Sequence, residues 1–426
     1  MLTSLCLVFL VGLAMSAICE KIKIPKIIGM LITGLVLGPY VLDCFDPKIL
    51  GISKELRQMA LVIILIKAGL SLNLKDLKVV GLPALLLSFV PATFEICAYV
   101  IFMPLFFYNG NYADGWLVGA ITGCVLSAVS PAVVVPRMVK LMDEHYGTDK
   151  KIPQMILAGA SLDDVFVIVL FTTFLGLASE GTFDALAFLD IPSSIILGIL
   201  LGVIVGFIVN FLFEICYKFK NKIRNSVKVI VILGVSFGLL FIEDVLEPYV
   251  AVSGLLAIMA MSMVVGMRSI KEVTLRLQAK FGKLWIAAEL LLFVLVGAAV
   301  NIDAIKENPS IVGWSILMIF IALIFRSVGT FLCTLAARGL NWKERLFCII
   351  AYLPKATVQA AIGSVPKDEG LPFGDLVLTT AVLGIIITAP LGAFGMDLTY
   401  KKLLTKEEIK EEVEEIAPQE LEAKTE

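Results

Sequence analysis

Two adjacent aspartates inside a long apolar segment are the residues of this sequence best suited to chemistry. Asp163 and Asp164 lie well inside the apolar stretch 153–178. Neighbouring residues on a helix point about 100° apart, so one carboxylate can face an aqueous space while the other faces a packed helix. Desolvation and mutual repulsion make it costly for both to be charged. Since only a deprotonated carboxylate binds a metal cation, such a group can hold either a proton or a hard cation.

Ser161 and two further ionisable residues belong to the same analysis. Ser161 lies three residues before Asp164, and hence on the same face of the helix. Glu95 and Arg326 lie deep in other apolar stretches, where an unpaired charge costs at least about 2.5–3.5 kcal/mol. Because an arginine does not discharge, Arg326 requires an acidic partner. Glu95 is the favoured partner; pairing with Asp163, which would make that aspartate an ion-pair switch, is the alternative.

Proline and hydroxyl residues interrupt two more apolar stretches. The first reads Ser-Ala-Val-Ser-Pro-Ala-Val-Val-Val-Pro at 127–136, and the second Tyr-Leu-Pro-Lys-Ala-Thr-Val-Gln-Ala-Ala-Ile-Gly at 352–363. Unwound backbone at membrane depth is tolerated only where it lines a cavity or is buried in protein. Its freed carbonyls can ligate a cation, and Lys355 can neutralise the negative ends of half-helices. The residues that mark the two breaks are Ser130, Pro131, Pro354, Lys355, Thr357 and Gln359.

The elements that must position these residues are long apolar blocks. Of the 426 residues 59% are apolar and 17% charged, whereas a soluble domain has about 25% charged residues. Blocks of about 20 apolar residues cross the hydrocarbon core as helices, so the sequence predicts an all-α membrane protein with thirteen transmembrane helices. The predicted spans are 2–19, 25–42, 55–71, 79–107, 115–140, 153–178, 192–217, 227–245, 249–267, 284–300, 310–337, 345–364 and 372–399.

The distribution of basic residues predicts how the chain is oriented. Lysines and arginines concentrate in the loops on one side of these spans, most densely at 218–228 and 268–283. Cytoplasmic loops are the ones enriched in such residues. The N-terminus is therefore expected outside and the C-terminus inside, with 1–400 forming the transmembrane domain and 401–426 an acidic cytoplasmic tail.

An internal similarity predicts two inverted repeats. When the sequence is shifted so that Glu95 lies opposite Arg326, the glycine-rich runs 29–38 and 254–266 also correspond. Spans 1–6 then pair with spans 8–13, and span 7 is a linker helix. Because six plus one is odd, the second six-helix unit enters from the other face. Inverted repeats are common in secondary transporters, whose sites lie near the midplane at the repeat interface.

Several other functions are not supported by the composition. The net charge is −2 and there is no basic stripe with interleaved aromatic residues, so we expect no nucleic-acid partner. The eight cysteines are scattered and His145 is the only histidine, so we expect no cofactor and no resident metal centre. No nucleophile–base pair or phosphate-binding loop is visible, so the chain is not expected to be an enzyme.

The segments 127–136, 160–164 and 353–363 resemble the cation–proton antiporter superfamily. More narrowly, they are similar to the NHA-type sodium/proton antiporters, which include bacterial NapA-like and animal NHA proteins. The resemblance implies an NhaA/NapA-like fold in which the two broken helices cross, in a homodimer with an elevator mechanism. It implies a core formed by 79–178 and 310–399 and a dimerisation domain formed by 1–71 and 192–300, which we call the predicted core and the predicted dimerisation domain.

The resemblance also assigns roles to single residues. Asp164 corresponds to the family's cation-binding aspartate, and Asp163 to its neighbour. Arg326 occupies a position where some members carry a lysine paired with the first aspartate, and Glu95 matches the acid that accompanies the arginine of animal-type members. Val129 and Ser130 replace a Thr-Asp pair of many relatives and complete the candidate cation and proton site.

The sequence therefore predicts a secondary active transporter in the cell membrane. We expect sodium or lithium to exchange for protons by alternating access, with the cation and the proton competing for a midplane aspartate, Asp164, assisted by Asp163. The expected partners are these ions, the lipid bilayer and a second copy of the chain. A potassium/proton antiporter, or a sodium-coupled organic-anion symporter on the same scaffold, is the alternative.

Overall fold

The computed structural model describes residues 1–71, 81–180, 187–218, 224–246, 250, 252–307, 309–337 and 339–407. Within these helices, the side chains of residues 71, 161, 180, 187–195, 216–218, 304, 305 and 307 are not described. The helices are α1 Leu2–Lys21, α2 Lys26–Leu37, α3 Pro47–Gly51, α4 Ser53–Ser71, α5 Leu82–Leu87, α6 Val90–Phe107, α7 Tyr112–Ser127, α8 Pro131–Asp143, α9 Ile152–Glu180, α10 Ala187–Lys218, α11 Asn225–Leu246, α12 Gly254–Arg268, α13 Lys271–Ala299, α14 Ile302–Glu307, α15 Ser310–Leu335, α16 Trp342–Ala351, α17 Thr357–Ile362, α18 Val365–Asp368 and α19 Gly374–Leu403.

The predicted all-helical, membrane-type architecture is confirmed. Within the described residues, nine helical segments are long and apolar enough to cross a membrane, and two shorter apolar helices accompany them. Large apolar side chains point outward from the bundle: Ile196 is 64% exposed, Phe211 61% and Phe241 67%. Such surfaces suit contact with lipid rather than water. The count of thirteen crossings and the inverted repeat stay predictions.

Apart from the expected interruptions and shifts of about five residues, the helices differ from the predicted spans in two places. Helix α13 begins at Lys271, although the tenth span was expected to start at residue 284. The extra turns bury Leu277 and Phe281, so this basic segment is an amphipathic helix rather than a loop. The fourth span is divided between α5 and α6. Pro91 lies in the first turn of α6, where a missing N–H is tolerated.

The two proline-containing segments interrupt helices as predicted. Helix α7 ends at Ser127, and extended backbone at Ala128 and Ser130 precedes α8, whose first residue is Pro131. Helix α16 ends at Ala351, and α17 resumes at Thr357. The two interruptions meet, because the Ser130 N–H donates to the Pro354 carbonyl over 2.8 Å.

Glycines allow close packing of α2 on α13. A Cβ atom on Gly34 would collide with the carbonyl oxygen of Val294, and one on Gly297 with that of Leu31. Small residues let helix backbones approach in this way inside membranes, where dispersion rather than water exclusion drives helix association.

Candidate functional site

Five ionisable side chains converge where the interrupted helices meet. Glu95 comes from α6, Asp163 and Asp164 from α9, Arg326 from α15, and Lys355 from the interruption between α16 and α17. Asp164 is 7% exposed and the other four are completely buried. The sequence had placed these residues in four separate segments, and the fold brings them together.

Arg326 contacts both of the acids considered as its partner. Its Nη1 lies 2.9 Å from Glu95 Oε2, and its Nη2 lies 3.2 Å from Asp163 Oδ2. The same guanidinium also donates to the carbonyls of Ser127 and Tyr352. A guanidinium has five N–H donors in a fixed planar arrangement, so the two pairings that the sequence offered as alternatives coexist.

Lys355 completes the charged cluster. Its Nζ lies 2.7 Å from a Glu95 carboxylate oxygen and also donates to the carbonyl of Leu126. Its backbone N–H donates to the Thr388 hydroxyl over 3.0 Å. Thr388 was not predicted from the sequence; a polar residue in an apolar helix two residues before Pro390 is the signal that could have identified it.

The carbonyls at the end of α7 have donors of their own. The oxygens of Leu126, Ser127 and Ala128 accept hydrogen bonds from Lys355, Arg326 and Gln359, respectively. Each of these oxygens thus has a donor within the protein, as buried carbonyls require a partner. That freed carbonyls ligate a cation stays a prediction.

Asp163 is held by the protein, but only through one oxygen. Its Oδ2 accepts from Arg326 and, over 2.8 Å, from the backbone N–H of Val129. Within the described part of the chain, neither its buried Oδ1 nor the buried Ser130 hydroxyl has a hydrogen-bond partner. Val129 thus takes part through its main chain, which is why an apolar residue can occupy this position.

Asp164 differs from the other four ionisable groups. Among the described residues, its buried Oδ1 has no hydrogen-bond partner, and no ion pair links Asp164 to any of their side chains. The carboxylate faces a cavity whose other lining is apolar: Leu61, Ile64, Leu65, Ala68, Ile168, Met259, Val358, Ala361 and Ile362. This cavity lies between α4 and α12 on one side and α9 and α17 on the other.

The charges of the cluster can be counted. Glu95 and Asp163 are balanced by Arg326 and Lys355, which they contact. Asp164 is left over, and it carries no compensating contact within the described residues. An isolated carboxylate in this environment is stable only if it is neutralised by a proton or by a bound cation.

The remaining predicted site residues lie close by. Pro131 begins α8, Thr357 begins α17, and Pro354 provides the carbonyl that joins the interruptions. The Ser161 side chain lies outside the described part of the structure. Among the described residues, no group of three or more His, Cys, Asp or Glu side chains could hold a resident metal ion.

A multi-pass helical bundle with interrupted helices and a buried ionisable cluster defines a membrane protein of the transporter type. The family model described as "Sodium/hydrogen exchanger, transmembrane" matches residues 5–399. Sodium/hydrogen exchanger 9B2 of Homo sapiens is 33% identical over 405 residues, which cover 92% of this chain and 72% of that protein. Sodium/hydrogen exchanger 9B1 of Homo sapiens is 31% identical over 399 residues, covering 90% and 73%.

The structural comparison gives the same result for the fold. The sodium proton antiporter MjNhaP1 of Methanocaldococcus jannaschii superposes with a TM-score of 0.77 at 21% identity, covering 94% of this chain and 98% of that one. The chain belongs to the sodium/hydrogen exchanger family. This membership confirms the resemblance that the sequence analysis predicted. Since the members of this family are transporters and use no cofactor, it also confirms the prediction that the chain is not an enzyme and needs no cofactor.

Proposed function

We propose that this chain exchanges sodium or lithium ions for protons, and that the cation and the proton compete for Asp164. The observation that carries the proposal is the carboxylate of Asp164, which is uncompensated among the described residues and lies next to four charges that balance one another. We call these four residues, Glu95, Asp163, Arg326 and Lys355, the balanced cluster. A proton and a small cation can each neutralise Asp164, but not both together. Exclusive occupancy of one group by either ion is what couples their movement in opposite directions.

The balanced cluster supports the choice of Asp164 over Asp163. Asp163 already receives Arg326 and the Val129 N–H, so a cation would have to displace or share these donors. Asp164 has no such donor among the described residues and borders open space. Asp163 then acts as a neighbouring negative charge that attracts the cation.

The cavity supports alternating access. Its walls come from α4 and α12 of the predicted dimerisation domain and from α9 and α17 of the predicted core. Extensive helix pairing occurs within each of these two sets, as between α6 and α7 and between α2 and α13. Sliding of the core against the other set would move Asp164 between the two sides of the membrane, in a homodimer held by the dimerisation domains.

The polar contacts between the two sets are compatible with such sliding because they are few and lie together. Among the described residues, the ion pairs and side-chain hydrogen bonds that join the sets all connect α4 and the end of α13 to the segment around α18. They are Arg57 Nη2 to Asp368 Oδ1 at 2.6 Å, Lys54 Nζ to Glu369 Oε1 at 3.1 Å and to the Asp368 carbonyl at 3.2 Å, and Lys367 Nζ to the Ala299 carbonyl at 2.7 Å.

We place the chain in the cell membrane, and the charge pattern supports one orientation there. Because positively charged loops favour the cytoplasmic side, we expect the N-terminus outside and the C-terminus in the cytoplasm. In that orientation the contacts around α18 lie at the outer surface, since α18 follows a span that starts in the cytoplasm.

The site does not favour the organic-anion alternative. Nine of the ten residues that line the cavity are apolar and the tenth is the acidic Asp164, which would repel an anion. Potassium/proton exchange remains the second candidate, because a carboxylate also binds potassium. Sodium, lithium and potassium offered to the same vesicles would separate these two functions.

The decisive experiment uses purified protein in liposomes with a pH-sensitive dye inside. A sodium gradient should drive proton movement through the wild-type protein, and Asp164→Asn should abolish it, because the amide can bind neither ion by charge. Asp397→Asn is the matched control: this carboxylate also lies on a membrane helix and pairs with Arg137, but it is 47% exposed. Sodium-driven proton movement at the wild-type rate in Asp164→Asn would contradict the proposal.

A further inference from the structure

Gln359 is the uncharged member of the group that holds the end of α7. It is completely buried on α17, and its Nε2 donates to the Ala128 carbonyl over 2.8 Å. A carbonyl oxygen can only accept, so the amide nitrogen must face it and the side-chain orientation is fixed. The other two carbonyls of this group bind Lys355 and Arg326, so only Gln359 can be replaced without changing the charge of the cluster.

The peptide group that Gln359 holds is the one that contacts Asp163. The carbonyl of Ala128 and the N–H of Val129 belong to a single peptide plane. The first accepts from Gln359 and the second donates to Asp163 Oδ2 over 2.8 Å. Ala128 has φ −71° and ψ 140°, outside the helix, so no helical hydrogen bond fixes this plane. A donor on the oxygen both orients the N–H and polarises it toward the carboxylate.

We infer that Gln359 is a positioning residue for Asp163, acting through the Ala128–Val129 peptide group. This inference rests on the proposed sodium/proton exchange. Without the Gln359 donor, the Ala128–Val129 peptide group can turn, and the Val129 N–H no longer holds Asp163 Oδ2 in place. Asp163 is the negative charge next to Asp164, so its displacement should weaken the attraction of sodium. The apparent sodium affinity should therefore depend on Gln359.

The test measures the sodium dependence of the exchange rate in proteoliposomes at a fixed pH. Gln359→Met keeps the length of the side chain but has no donor. We expect the half-saturating sodium concentration to rise about tenfold, as when a group supporting a metal ligand is removed. The maximal rate should stay near that of the wild type.

Two further variants separate positioning from a general loss of structure. Thr380→Val removes a buried hydroxyl of α19 that donates to the Leu376 carbonyl, away from Asp163, and should leave the sodium dependence unchanged. Gln359→Asn keeps the amide on a shorter side chain and should show the same shift in smaller degree, which preserves the test if Gln359→Met does not fold.

The outcomes are distinct from those for the proposed function. A wild-type half-saturating sodium concentration in both Gln359 variants would overturn the inference, and so would a lower maximal rate with an unchanged sodium affinity. In either case wild-type exchange would still be present. Failure of the wild-type chain to exchange sodium for protons would instead overturn the proposed function, and this inference with it.

Discussion

Removal of one charge from the balanced cluster should destabilise the fold more than removal of two opposite charges together. Glu95 contacts both Arg326 and Lys355, at 2.9 and 2.7 Å, and all three are completely buried. Glu95→Gln leaves two cations facing Asp163 alone, and Lys355→Met leaves two carboxylates facing one arginine. Each single change thus creates a buried charge without compensation.

The expected magnitudes follow from this count. Loss of one partner of a buried ion pair costs about 3–5 kcal/mol, because the other charge stays desolvated. The double variant Glu95→Gln with Lys355→Met leaves Arg326 and Asp163 as a neutral pair. It should lose only about 1–3 kcal/mol, which is the cost of leaving the buried Leu126 carbonyl without its donor. The double variant should therefore be more stable than either single variant.

Equilibrium unfolding in detergent, followed through the fluorescence of the four tryptophans, measures these differences. Lys306→Met is the control for the removal of a charge as such. Lys306 pairs with Asp303, and the two side chains are 65% and 60% exposed. An exposed ion pair of this kind contributes roughly 0–1 kcal/mol to the stability of the fold. If the two single losses simply add in the double variant, the four residues do not form one balanced cluster and the reasoning is refuted.

Two predictions concern transport itself. The half-saturating sodium concentration should rise as the pH falls, by about tenfold per pH unit in the range where the proton occupies the site, and the maximal rate should not change. Sodium titrations in proteoliposomes measure this dependence. A half-saturating sodium concentration that does not depend on pH would exclude competition. The ion pair between Arg57 and Asp368 joins the two predicted domains. Asp368→Asn should therefore change the maximal rate of exchange, because it breaks this ion pair. The double variant Arg57→Asp with Asp368→Arg, which exchanges the two charges, should restore the wild-type rate. An unchanged rate in Asp368→Asn would show that this contact does not limit the movement.

The presence of the charged residues could be predicted from the sequence, because charges inside apolar spans are too costly to be incidental. Their partners could not be predicted to the same degree. The choice between Glu95 and Asp163 assumed that Arg326 serves one acid, whereas the fold lets its planar guanidinium reach both, together with two carbonyls. That geometry depends on three helices and two interruptions that are distant in sequence.

Boundaries set by tertiary packing were also beyond the sequence. The basic composition of 271–283 indicated a loop, but Leu277 and Phe281 are spaced for a helix and bury against neighbours. In the same way, Val129 has no polar side chain, so its contact with Asp163 through the main chain has no residue-type signal. Pro131, two residues later, predicts an interruption and so indicated that backbone groups would become available.

Two cationic side chains and one amide explain how the interruptions can be buried at this depth. Unwound backbone offers carbonyl oxygens that need donors. Lys355, Arg326 and Gln359 donate to the oxygens of Leu126, Ser127 and Ala128, and the two cations are in turn neutralised by Glu95 and Asp163. Asp164 has no such compensation among the described residues, so under the proposed function its carboxylate determines which ion is held.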